Sequence, residues 1–164
     1  MAVVFLLGPG MWGPEKGTSA KPSPMEIRRG IAKVLAAGGH RVVLMEDEAD
    51  RKGEDMIQKF DRLLRSKVTD VILYWPPLAK MQTTYDELIL LYDRAALLRD
   101  GNISLWALHH PSVAEISGDE FRILEKGNRS RYLTAVARLG IRPIEWESQE
   151  ELIEQTRLLA AELD

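Results

Sequence analysis

The sequence predicts an α/β fold, a flavodoxin-like three-layer sandwich around a five-stranded parallel sheet of order 2-1-3-4-5. Three observations point there. Short apolar runs rich in β-branched and aromatic residues alternate five times with longer segments of helical periodicity, the pattern of repeated βαβ units joined by right-handed crossovers. The first and third runs, Ala2 to Leu7 and Val71 to Trp75, are apolar without alternation, as strands covered on both faces are. Glycine or proline follows the run at Gly8-Pro9-Gly10, Pro76-Pro77 and Pro111, where a strand gives way to a loop.

Each element follows in order. Ala2 to Leu7 is the first strand. Residues 8–24 are rich in Gly, Pro, Ser and Lys and exceed the roughly two to six residues of an ordinary βα loop, so this segment is functional or mobile. A helix starts with Pro24 in its first turn, carries Ile27, Ile31, Val34 and Leu35 inward, and ends at Gly38-Gly39. Arg41 to Met45 is the second strand and runs into the acidic loop Glu46-Asp47-Glu48-Ala49-Asp50. Met56, Ile57, Phe60, Leu63 and Leu64 mark the second helix, to about Lys67. Val71 to Trp75 is the third strand, stopped because neither Pro76 nor Pro77 can donate a ladder hydrogen bond. Leu88, Leu91, Ala95 and Leu98 then recur at helical spacing, with Thr83 and Thr84 where an N-cap belongs. Ile103 to Leu108 is the fourth strand, ending at His109-His110-Pro111. A short helix near Asp119 to Glu125, a helix end at Tyr132, Val136 and Leu139, a fifth strand from Ile141 to Trp146 and a terminal helix from Leu152 to Leu163 complete the chain.

Composition narrows the function. At 164 residues the chain is the length of one domain, 1–164. A net charge of −3 with interspersed signs gives no footprint for a nucleic acid polymer or a membrane surface. With no cysteine there is no disulfide, thiolate nucleophile or cysteine-based zinc site. Ala2 to Leu7 is too short and lacks the basic flank of a signal peptide, and no run approaches the ~18 apolar residues of a membrane span, so a cytoplasmic location is expected.

The stretch from Val68 to Arg94 organises the rest. The order 2-1-3-4-5 has its switch point between strands 1 and 3, so the Gly8 loop faces the Trp75 to Glu87 turn across one crevice, with the acidic loop at the rim. Glu87 then has two readings. Thr84-Tyr85-Asp86-Glu87 fits a capping box, in which the glutamate merely bonds back to the cap residue; or Glu87 is a catalytic carboxylate in the first turn of a helix, where the dipole favours its ionised form. Gly8-Pro9-Gly10-Met11-Trp12-Gly13 matches G-x-G-x-x-G, but Pro14 and about ten non-periodic residues stand where the helix should open, and Glu46 lies beyond the ~20 residues of a ribose contact. A dinucleotide cofactor is therefore not expected, although the glycine loop can still cover a ligand. Trp12 and Trp75 can stack a planar ring, or belong to the core. No histidine pair has metal spacing, and the acidic loop, with neither the glycine nor the ligand spacing of a calcium loop, reads as solvated; no metal is expected.

VFLLGPG with Trp12 just after it, then DVILYWPP followed by TTYDEL, resembles the nucleoside 2-deoxyribosyltransferase-like family over roughly the first two-thirds of the chain. The resemblance implies a glycine-proline loop after strand 1, a glutamate after strand 3 and cleavage or transfer of an N-glycosidic bond. On that likeness Glu87 is the carboxylate nucleophile, and Gly8, Pro9, Gly10, Trp12, Asp47, Trp75 and Asp86 contact a nucleoside or nucleotide. Asp86 or an acid of the 46–50 loop would protonate the departing base. Neighbouring copies complete the site in that family, which implies a homo-oligomer. Toll/interleukin-receptor-like domains, some of which cleave NAD while others only signal, are similar in the same places and give the alternative. An aspartate of the family matches Asp70, but Asp70 begins strand 3 in this reading, some 15 to 20 Å from the Glu87 end at ~3.3 Å per residue, and is left out.

Overall fold

The computed structural model describes residues 1–9, 22–76, 82–111 and 134–164, with the backbone alone for 82–86. Five parallel strands form one sheet: β1 (Val3–Leu7), β2 (Arg41–Val43), β3 (Asp70–Trp75), β4 (Ser104–His109) and β5 (Arg142–Glu145), in the order β2-β1-β3-β4-β5. The expected order 2-1-3-4-5 is the order observed. The helices are α1 (Pro24–Ala37), α2 (Met56–Leu64), α3 (Gln82–Asp93), α4 (Ala95–Asp100), α5 (described over 134–139) and α6 (Gln149–Glu162).

Two separate cores follow from the period-two alternation of the central strands. Phe5, Leu7, Val71, Leu73 and Trp75 face one side and pack against Phe60, Leu63 and Leu64 of α2, Leu88 and Leu91 of α3, and Leu98 of α4. Val4, Leu6, Ile72 and Tyr74 face the other, against Ile31 and Leu35 of α1 and Leu152 and Leu159 of α6. Every residue of β3 is buried, as a central strand covered on both faces requires.

Local signals set most helix starts. Ser23 caps α1 through the Glu26 amide, and the Glu26 carboxylate returns to the Ser23 amide, with Pro24 at the first helical position. Asp55 and Gln58 make the same reciprocal box on α2. Ser148 caps α6. The expectation of one helix through Leu88, Leu91, Ala95 and Leu98 is corrected: the helix breaks at Arg94, whose φ of −108° and ψ of 19° are not helical. Arg94 reaches back to α2 and forks onto Asp61, with its guanidinium 5.8 Å from the Phe60 ring centre. β2 is also shorter than Arg41 to Met45, because Met45–Asp47 coil into a 3₁₀ turn. Among the described residues no helix is long and apolar enough to cross a membrane.

Candidate functional site

Gly8 follows β1 directly, at the point where the sheet reverses its order. The register of Leu7 with Leu73 places it beside Tyr74. Its φ is +144°, and a Cβ there would stand 2.8 Å from the Tyr74 carbonyl oxygen, so only glycine fits. The peptide groups of this buried residue are held from both layers of helices. The Gly8 N–H donates to Glu87 Oε2 of α3 at 3.0 Å, and the Gly8 carbonyl accepts from Arg28 Nη1 of α1 at 3.1 Å. The expected meeting of the Gly8 loop with the segment after β3 is thus a direct contact across the switch point.

Glu87 gets there by helical geometry. It lies four residues before Leu91, which is fully buried, so both project from the same face of α3, with Glu87 one turn nearer the carboxyl edge of the sheet. Only 7% of Glu87 is exposed. The capping-box reading is corrected here. The helix begins at Gln82, which puts Thr84 inside it and Glu87 in its second turn, and the described carboxylate contact goes to the Gly8 amide just past β1. The helix dipole falls off within the first turn, so the charge is stabilised here by the Gly8 amide donor instead.

The acidic loop keeps Asp47, Ala49 and Asp50 exposed, as a solvated loop would, but departs from that expectation at Glu46. The Glu46 side chain, 6% exposed, forms an ion pair with Arg28, itself buried, while Arg29 pairs with Asp47 at 2.8 Å on the surface. The Arg29 guanidinium holds the Asp47 carboxyl below the usual carboxylate range. Lys59 ties down the rest, bonding the Glu48 carbonyl at 2.5 Å and Asp50 at 2.6 Å. The result is a continuous chain of contacts from Glu46 through Arg28 and the Gly8 peptide to Glu87. Arg28 was not singled out from the sequence. Its signal was present, because Arg28, Ile31 and Leu35 share one helical stripe, and a charge in an apolar stripe must find a buried partner.

The remaining candidates separate. Pro9 is buried beside Gly8. Gly10 and Trp12 lie outside the described residues, as does the short helix expected near Asp119 to Glu125, and Asp86 is described only as helical backbone. Trp75 is 2% exposed within the α2 and α3 core, so its burial favours the core role of the two left open. Asp70 begins β3 as expected, and its carboxylate accepts from Trp106 Nε1 at 3.0 Å and Thr69 Oγ1 at 2.8 Å, at the opposite end of the strand from Gly8. Among the described residues no cluster of His, Asp and Glu could hold a metal ion. On the α1 and α6 face of the carboxyl edge, Tyr74 stacks on Trp146 with ring centres 6.1 Å apart, and His110 meets the Trp146 ring edge-on at 5.1 Å.

A parallel α/β sheet with a buried carboxylate at its switch point is the class that fold and site define together. A carboxylate so placed can attack or stabilise an electron-poor carbon of a ligand lying along the carboxyl edge. No known family model matches the chain, and no curated protein matches it either.

Proposed function

We propose that this protein cleaves or transfers the N-glycosidic bond of a nucleoside or nucleotide, with Glu87 as the carboxylate that meets the anomeric carbon. The observation that carries the reading is the burial of Glu87 at the switch point, with Oε2 held 3.0 Å from the Gly8 amide. Breaking such a bond builds positive charge on the sugar, and a fixed carboxylate shielded from water stabilises that charge far better than one in solvent. Glu87 would form a covalent glycosyl ester or act as the counter-charge, and water or an acceptor nucleoside would then take the sugar. The departing base needs a proton. Asp47 is disfavoured as its source because Arg29 keeps it ionised, which leaves Asp86 or another acid of the 46–50 loop for that role. The resemblance adds a homo-oligomer to the proposal, and the short apolar start without a basic flank adds a cytoplasmic setting.

The test is chromatographic detection of free base after incubating wild type and Glu87→Gln with nucleosides, deoxynucleosides, nucleotides and NAD. Release by wild type and loss of at least about a hundredfold in the variant, with both folded, is the expected result. Release from NAD alone would move the protein to the Toll/interleukin-receptor-like alternative. The Glu87 to Gly8 bond also favours a second reading, in which Glu87 only tethers α3 to β1 in a non-catalytic nucleotide-binding module. Ligand binding without base release, and a lower thermal midpoint for Glu87→Gln, would establish that instead.

A further inference from the structure

Three buried side-chain atoms lack a hydrogen-bond partner among the described residues: Arg28 Nε, Tyr74 OH and Trp146 Nε1. All three belong to the α1 and α6 side of the carboxyl edge. Arg28 Cδ and Tyr74 Cβ both lie within 3.4 Å of the point a Gly8 side chain would occupy, and Tyr74 stacks on Trp146. Tyr74 is fully buried, Arg28 is 2% exposed and Trp146 is 4% exposed. The Arg28 Nη2 is already engaged by Glu46, so the two aromatic donors carry the argument. Indole N–H can only donate. Burial pushes the Tyr74 hydroxyl well above its ordinary range, so it too keeps its proton. Leaving such donors unpaired is costly, and native proteins seldom do so without a reason.

We infer that Tyr74 OH and Trp146 Nε1 supply two hydrogen-bond donors to one oxyanion group, a carboxylate or phosphate, on a ligand bound along the carboxyl edge. Two unpaired donors, one of which can only donate, favour an anionic oxygen able to accept from both over an ammonium that accepts from neither. His110, packed on Trp146, closes the aromatic side of the site. This inference is independent of the glycosidic reading, because it concerns the face of the sheet opposite the α3 layer and requires no turnover.

Calorimetric titration with sodium phosphate and with sodium acetate, at ionic strength matched by chloride, tests it on wild type, Tyr74→Phe and Trp146→Phe. Wild type should bind at least one of the two anions saturably, and which one binds distinguishes phosphate from carboxylate. Each variant should weaken that binding roughly tenfold or more, the worth of one charge-assisted hydrogen bond. Ligand-free Tyr74→Phe should melt at the wild-type temperature or above it, since it removes an unpaired hydroxyl. The inference is overturned if wild type binds neither anion saturably, if both variants bind like wild type, or if ligand-free Tyr74→Phe melts lower, which would show the hydroxyl already satisfied.

Discussion

The two ends of the sheet treat buried polar groups in opposite ways. At the amino end, buried Asp70 takes the Trp106 indole N–H and the Thr69 hydroxyl, and half-buried His40 accepts from the Ala2 amide at Nδ1 while Nε2 lies 2.7 Å from the Ala160 carbonyl. Those contacts assign the neutral His40 tautomer protonated on Nε2. At the carboxyl end, charges are buried in a chain from Glu46 to Glu87, and the Trp146 indole and Tyr74 hydroxyl have no partner among the described residues. Two tryptophans near the two ends of neighbouring strands therefore meet opposite fates. The amino end is arranged for stability, and the carboxyl end holds the buried groups that the proposed ligand would engage.

The largest test of that contrast removes one member of the buried pair. Glu46→Leu leaves the Arg28 guanidinium buried with its counter-charge gone and should cost about 3–5 kcal/mol in denaturant unfolding. Adding Arg28→Met should recover most of the loss, since two apolar groups need no partner; a double variant no more stable than Glu46→Leu would break the interpretation of the pair as a costly device. Next, Gly8→Ala forces a Cβ to 2.8 Å from the Tyr74 carbonyl at a φ of +144°. It should destabilise by about 3 kcal/mol and also release the Glu87 tether. The same substitution at Gly39, whose added Cβ would meet nothing within 4 Å, should cost less, although its φ of +90° is also strained.

A smaller effect sharpens the comparison of the two ends. Asp70→Ala strands the Trp106 N–H and should cost about 1–3 kcal/mol, whereas Tyr74→Phe, removing a polar group without a described partner, should cost nothing. Equal losses at both positions would erase the distinction. The smallest effect is a control away from both ends. Hydrogen bonding to Arg62 lowers the Glu54 pKa from 4.5 to about 2. A carboxylate depressed in the folded state contributes stability above its unfolded pKa and loses it as pH falls through its folded one. The gap between wild type and Glu54→Gln in denaturation midpoint should therefore be open at pH 6, narrow below about pH 4.5 and close near pH 2.

Legibility from sequence followed the range of the interaction. Strand runs and their order, α1 from Pro24 and the placing of Asp70 at the start of β3 were readable because period, proline and capping residues act over a few neighbours. The start of α3 was misread from the same kind of signal: Thr83 and Thr84 are good cap residues, yet the helix extends back to Gln82. Its break at Arg94 could not be read, because the reason is a partner on α2 at Asp61.

By itself, the sequence determined the alternation of strands and helices, the doubly wound order and the meeting of Gly8 with the segment after strand 3, since burial on one or both faces leaves a periodic trace in the chain. Only the tertiary structure decided that Glu87 accepts from the Gly8 amide, 79 residues away, and that the Glu46 side chain leaves solvent for Arg28. Those outcomes depend on which surfaces the crossovers bring together, and a buried charge takes whatever partner the packing supplies.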